Sequence, residues 1–121
     1  MPRFMIHEHD AIKAGLHHDL RIEMDGVYKS WAIPKTIDPN TDAKRLAIEV
    51  ADHSLAYGEW EGTIADGYGA GEVKIWDSGT CQLATMGDGK WQIKFFGGKL
   101  SGTWLLIKTK RDKQWIFFNK K

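Results

Sequence analysis

Residues 16–24 read Leu-His-His-Asp-Leu-Arg-Ile-Glu-Met, followed by Asp25-Gly26 and then by Val-Tyr-Lys-Ser-Trp-Ala-Ile at 27–33. Successive side chains of a β-strand point to opposite faces. Read as a strand, the first run puts His17, Asp19, Arg21 and Glu23 on one face, and His18, Leu20, Ile22 and Met24 on the other. Asp-Gly tolerates the positive φ of a tight hairpin turn, so the second run is expected to fold back beside the first. One face of this hairpin is apolar and belongs to a core. The other carries a row of ionisable groups where Lys or Thr would be ordinary, and it reads as the floor of a site.

The same period-two pattern extends outward in both directions. Strands are expected at Arg3–His9, His17–Met24, Val27–Ile33, Arg45–Val50, Glu59–Ile64, Glu72–Asp77, Thr80–Met86, Lys90–Phe96, Leu100–Lys108 and Gln114–Asn119. Helical periodicity is nearly absent, and 13 glycines and 3 prolines punctuate the chain. Gly87-Asp88-Gly89 and Gly97-Gly98 read as further turns, and 34–41 as a loop. Short antiparallel strands with little helix predict an all-β fold, a compact closed or partly closed β-barrel of eight to ten strands. The six tryptophans fall in different strands and read as core and rim packing. A chain of 121 residues is expected to form one domain, 1–121.

Composition narrows the function classes. Hydrophobic residues at 42% and charged residues at 27% describe a globular chain rather than a disordered one. No apolar run reaches the roughly 18 residues of a membrane helix, and no leader pattern opens the sequence. A single cysteine, Cys81, cannot form an internal disulfide. A cytoplasmic protein without a membrane partner is expected. Residues 1–89 hold 15 of the 16 acids but 8 of the 17 bases, so 90–121 is strongly basic. Such asymmetry suits an anionic partner. The basic segment is expected to grip a nucleic-acid backbone beside the site.

Four of the five histidines lie in the first 18 residues. His17 and Asp19 share a face about 6.5–7 Å apart along a strand, close enough to converge on one cation. His7 and His9 share a face of the preceding strand, and either completes a two-histidine, one-carboxylate set suited to Mn²⁺, Fe²⁺ or Zn²⁺. Arg21, Lys35 and Arg45 are candidate phosphate donors. His53 could protonate a leaving oxygen or bond a phosphate oxygen, and Tyr57 could donate to an oxyanion or simply pack. The glycines of 67–71 precede a strand rather than a helix, so they read as a turn and not as a phosphate loop. Cys81 reads as a packed side chain. These features also fit two rivals: a cupin-like mononuclear metal enzyme acting on a small molecule, and a non-catalytic nucleic-acid-binding β-barrel.

The run Leu16-His17-His18-Asp19-Leu20-Arg21-Ile22-Glu23, with Ser30-Trp31-Ala32-Ile33-Pro34-Lys35, resembles the 3′-phosphoesterase domain of bacterial DNA ligase D and its free-standing archaeal and bacterial relatives. The likeness continues through Arg45-Leu46-Ala47-Ile48, Asp52-His53-Ser54-Leu55-Ala56-Tyr57, Tyr68-Gly69-Ala70-Gly71, Trp76-Asp77-Ser78-Gly79-Thr80 and Gly98-Lys99-Leu100-Ser101-Gly102. It implies a compact barrel and a Mn²⁺-dependent enzyme, with Co²⁺ or Zn²⁺ as other candidate metals. The implied activities remove a 3′-phosphate, or a 3′-terminal ribonucleoside, from DNA or RNA ends such as a primer-template. Separately encoded ligase and polymerase are the implied partners. The resemblance makes His9, His17 and Asp19 metal ligands. It makes Arg21, Lys35, Arg45, His53 and Tyr57 catalytic or phosphate-facing groups, and it sets His7 near the active site as a substrate-binding group beside Arg21, Lys35 and Arg45. Seven residues separate His9 from His17, two more than the family's spacing, with the addition near Lys13-Ala14-Gly15. Ligase-borne relatives are expected to carry an N-terminal arm without counterpart in these residues, so ribonucleoside removal is the less expected activity.

Overall fold

The computed structural model describes residues 1–120 and shows an all-β protein. Its strands are β1 (Arg3–Ala11), β2 (Gly15–Met24), β3 (Val27–Ile33), β4 (Arg45–His53), β5 (Gly62–Ile64), β6 (Gly71–Thr85), β7 (Lys90–Gly97), β8 (Ser101–Lys108) and β9 (Gln114–Asn119). One short helix, α1 (Leu55–Gly58), follows β4. Neighbours run β1-β2-β3-β4-β9-β8-β7-β6, and β6 pairs back with β1, so eight antiparallel strands close into a barrel. β5 adds to the free edge at the start of β6. Closure removes exposed sheet edges from the barrel wall. Among the described residues no helix is long and apolar enough to cross a membrane.

The interior is the apolar half of the alternation. Phe4, Ile6, Leu20, Ile22, Trp31, Ile33, Ile93, Phe95, Trp104, Leu106 and Phe117 form one buried cluster. Trp104 stacks on Phe117 at 4.8 Å, and Phe4 meets Phe95 edge to face at 4.8 Å. Trp31 and Trp115 also lie inside, Trp76 and Trp91 pack against the cluster, and Trp60 lies outside the barrel. Asp25 and Gly26 both take positive φ, 54° and 80°, as the tight turn between β2 and β3 requires.

Two expectations change. The separate strands expected at Glu72–Asp77 and Thr80–Met86 are one 15-residue strand. Gly79 carries it past β7, where a Cβ would stand 2.2 Å from the Phe96 carbonyl oxygen. The strand expected at Glu59–Ile64 shrinks to Gly62–Ile64, because α1 and the turn after it occupy the preceding residues.

Asp77 shows how a buried carboxylate serves this fold. It accepts backbone N–H bonds from Gly98, Lys99 and Leu100, and so holds the β7–β8 turn.

Strand order also places the basic segment. Counting round the ring, β8 stands four strands from β2 in either direction. Of the bases expected to lie beside the site, Lys90, Lys94 and Lys108 sit on β7 and β8, opposite or nearly opposite β2, while Lys99, Lys110, Arg111, Lys113 and Lys120 lie in turns or after β9, and the Lys113 carbonyl accepts from the Glu49 N–H of β4.

Candidate active site

The ionisable row of β2 faces away from the core, onto the outside of the barrel, and segment 54–70 roofs it. Ser54 caps α1 by accepting the Tyr57 N–H, and Gly58 lies directly on the Tyr28 ring, where a Cβ would come within 2.2 Å. This contact seats α1 on β3 and brings Tyr57 over Arg21, whose guanidinium carbon is 5.1 Å from the ring centre. His7 and His9 tie the roof down further. The Nε2–H of His7 donates to the Trp60 carbonyl at 3.0 Å, and that of His9 to the Gly69 carbonyl at 2.8 Å.

The β1–β2 register sets His9 opposite His17 and His7 opposite Asp19. The ladder runs on to Ala11 and Gly15, so the additional residues are taken up in the hairpin turn and leave the histidines facing. Coordinating atoms of His9, His17 and Asp19 all lie within 4.8 Å of one another. His9 Nδ1 stands 3.6 Å from one Asp19 oxygen and His17 Nε2 stands 3.4 Å from the other.

A carbonyl oxygen only accepts, so the ring nitrogen facing it carries the proton. For His9 that leaves Nδ1 with a lone pair. For His17, whose Nδ1 donates to the Gly15 carbonyl at 3.1 Å, it leaves Nε2. Both free nitrogens point at a carboxylate. A second proton on a ring or a shared cation satisfies such a set, and two imidazoles with one carboxylate suit a divalent transition metal. In the absence of a cation a second proton is favoured: its bond to Asp19 raises the His17 pKa. Burial alone would raise that of Asp19, but bonds from His17 and His9 when these rings carry that second proton, with the Arg21 charge, hold it well below the usual carboxylate range.

Arg21 is buried at 3% exposure, and each of its nitrogens is directed. Nε donates to His7 Nδ1 at 3.0 Å, one terminal nitrogen donates to Ser30 Oγ at 2.9 Å, and the other lies 3.6 Å from Asp19. His7 therefore has both nitrogens engaged and no exposed surface. Burial, with the Arg21 charge, lowers its pKa to about 4. It is a neutral strut beneath the site rather than a group open to a substrate.

His53 reaches the site through an irregularity. Along β4, Val50 is on the outer face, so strict alternation would send His53 inward. Between the pairs Ser30–Val50 and Tyr28–His53, β4 inserts an extra residue, and His53 emerges outward. Its ring stacks on Tyr57 at 4.5 Å, and Tyr57 in turn stacks on Trp60 at 5.8 Å. Burial and the Arg21 charge lower the His53 pKa.

A cleft of about 660 Å³ opens here, lined by His9, His17, Asp19, Arg21, His53 and Tyr57 among others. Lys35 and Arg45 do not line it. Lys35 is exposed on the loop after β3, and Arg45 donates from Nε to the Thr36 carbonyl at 3.1 Å. Arg45 shares its parity with Ala47, a core residue, which turns it from the cleft face. His18 faces inward, accepts the Ile37 N–H at 2.9 Å and lies 3.3 Å from Glu8, so it anchors the loop after β3. Cys81 is buried in the core, and burial raises its thiol pKa to about 11. Ser30 and the carbonyls of Trp60 and Gly69 are contributors the sequence patterns did not single out. A serine on the cleft face beside Arg21 was the available signal; the carbonyls carry none. Among the described residues the barrel interior holds an apolar cluster and the group of potential metal ligands lies on the outer face, whereas a cupin-like enzyme holds its metal inside the barrel.

A family model described as the DNA ligase D 3′-phosphoesterase domain matches residues 7–108. A multifunctional non-homologous end joining DNA repair protein LigD from Mycobacterium tuberculosis is 44% identical over 118 residues, covering 93% of this chain and 15% of the relative. A multifunctional non-homologous end joining protein LigD from Pseudomonas aeruginosa is 42% identical over 128 residues, covering 98% and 15%. One from Mycolicibacterium smegmatis is 37% identical over 126 residues, covering 94% and 16%. The chain thus spans about a seventh of the length of these relatives.

Proposed function

Because the chain belongs to the DNA ligase D 3′-phosphoesterase family, we propose that it is a metal-dependent phosphoesterase acting on nucleic-acid 3′ ends in end-joining repair. The reaction is hydrolysis of a 3′-phosphate to leave a 3′-hydroxyl, with removal of a 3′-terminal ribonucleoside as a second activity. The observation that carries this reading is one cleft holding the His9–His17–Asp19 cluster beside the buried, fully directed Arg21.

His9, His17 and Asp19 would hold a divalent cation, Mn²⁺ by preference, with Co²⁺ or Zn²⁺ as alternatives. Such a cation supplies Lewis acidity to a phosphoryl oxygen when bound. Arg21 provides fixed positive charge where negative charge spreads in phosphoryl transfer, and its bonds to His7 and Ser30 hold it in place before substrate arrives. Burial and the Arg21 charge lower the His53 pKa; an entering phosphate favours its protonated form, so His53 takes up a proton from solvent and is then placed to pass it to the leaving oxygen. Tyr57 aligns His53 by stacking. Lys35 and Arg45, outside the cleft, serve incoming nucleic acid through charge alone.

The relatives' names point to end joining, so a ligase and a polymerase acting on the same ends are the proposed partners. The test is a labelled primer-template ending in a 3′-phosphate or a 3′-ribonucleotide, incubated with Mn²⁺ and, separately, with chelator. Conversion that depends on metal is expected. Failure to convert either end overturns the proposal.

A further inference from the structure

Half of the cleft is apolar in a way that neither a metal nor a phosphate requires. Ala32, Pro34, Ile48, Val50 and Ile64 line it, with Tyr68 at its rim. Val50 is 39% exposed and Tyr68 is 73% exposed. On a solvent-facing strand surface these positions are ordinarily polar. The strand register fixes where the apolar patch lies. Asp19 pairs with Ala32, which pairs with Ile48; Arg21 pairs with Ser30, which pairs with Val50. At about 4.8 Å between strands, Ile48 and Val50 sit roughly 10 Å from the charged groups, on the same outer face. A ligand filling both halves is anionic at one end and flat and apolar about two strands away.

We propose that Pro34, Ile48 and Val50 form a platform for the terminal base of the substrate, which makes the cleft specific for nucleotide 3′ ends over simple phosphate esters. This rests on the phosphoesterase reading above. Packing a base face on aliphatic surface reads no hydrogen-bonding edge, and the platform's side chains bear no hydrogen-bonding group, so all four bases are accepted with similar efficiency.

The test compares steady-state kinetics with Mn²⁺ on two substrates, an oligonucleotide with a 3′-phosphate and glycerol phosphate. The proteins are the unaltered chain and the double variant Ile48→Ser/Val50→Ser, whose outward positions on β4 spare the core. In the variant, KM for the oligonucleotide is expected to rise tenfold or more relative to any change on glycerol phosphate, with kcat shifted less than threefold. Calorimetric binding of adenosine 3′-monophosphate, with inorganic phosphate as control, is expected to weaken for the nucleotide by a similar factor. Equal changes on both substrates, or none on either, overturn the platform. An unaltered chain that processes no 3′ end overturns the phosphoesterase reading, and the platform with it, which separates the two failures.

Discussion

The two opposite walls of the barrel use the same alternation to different ends. On the wall centred on β2, the outward residues are His9, His17, Asp19 and Arg21, and a roof from Ser54 to Ala70 covers them. On the wall centred on β8, the outward residues include Lys90 and Lys94 of β7, and they stay in water. Inward residues are apolar on both. What separates a chemical wall from a solvated one is therefore the covering segment. Under the roof, charges are partly desolvated, bonded to fixed partners and shifted in pKa. In the open, lysines are screened by water and salt. The run of positive charge that is densest along the sequence is spread, in space, over the β8 wall and the turns at its ends.

The largest effect expected from breaking this contrast is at Asp19. Asp19→Asn removes the carboxylate of the proposed metal set and should abolish Mn²⁺-dependent turnover while far-UV circular dichroism stays unchanged; retained turnover would mean the cluster is not the centre of the chemistry. Next is the pH response of the roofed wall. The folded pKa of His7, about 4, lies below its ordinary 6.5, so the unfolded chain binds more protons between those values. Stability from this residue is complete above about pH 6.5 and is lost as pH falls through about 4, by on the order of 3 kcal/mol. His18, also lowered by burial, acts in the same direction. His7→Gln keeps a donor for Trp60 and an acceptor for Arg21 without titrating, so its Tm should fall less than that of the unaltered chain between pH 7 and 4.5. A smaller effect belongs to the β7–β8 turn. Asp77→Ala strands three backbone donors and should cost about 2 kcal/mol in urea unfolding. The turnover of the remaining folded protein should hold. Smallest is the open wall: Lys90→Gln with Lys94→Gln should change kcat/KM on a 3′-phosphate oligonucleotide less than twofold at physiological salt. A tenfold loss there would restore the basic wall to the binding surface.

Much of this was legible from alternation alone. His17, Asp19 and Arg21 share a face because β2 is regular, and the hairpin turn at Asp25-Gly26 left little freedom in how β3 follows. What alternation misreads is irregular pairing. His53 is odd-numbered on a strand whose odd residues face the core, and only the inserted residue of β4 turns it outward. Arg45, two residues before core Ala47, lies beside the motif residues in sequence yet on the wrong face for the cleft. The division of labour between His7 and His9 was also beyond pattern. Both share a face, but only His7 meets Arg21 and only His9 meets Asp19 and Gly69. Strand adjacency in a ring is a long-range property, which is why the pattern could not show that β7 and β8, with Lys90 and Lys94, stand on the far side of the ring from β2.

The 15-residue strand β6 has a consequence in time as well as space. It pairs Gly71–Thr80 with β1 and Gly79–Thr85 with β7, while β4 finds its second neighbour only in β9. Residues such as Arg3 and Thr80, or Arg45 and Phe117, must meet before either seam closes. The loop-closure entropy of such distant pairings slows folding toward the millisecond-to-second range typical of sequence-remote β-topologies. As the chain leaves the ribosome, His9, His17 and Asp19 emerge early but have no closed barrel behind them until β9 follows. The cluster therefore gains its full scaffold only once β9 has emerged.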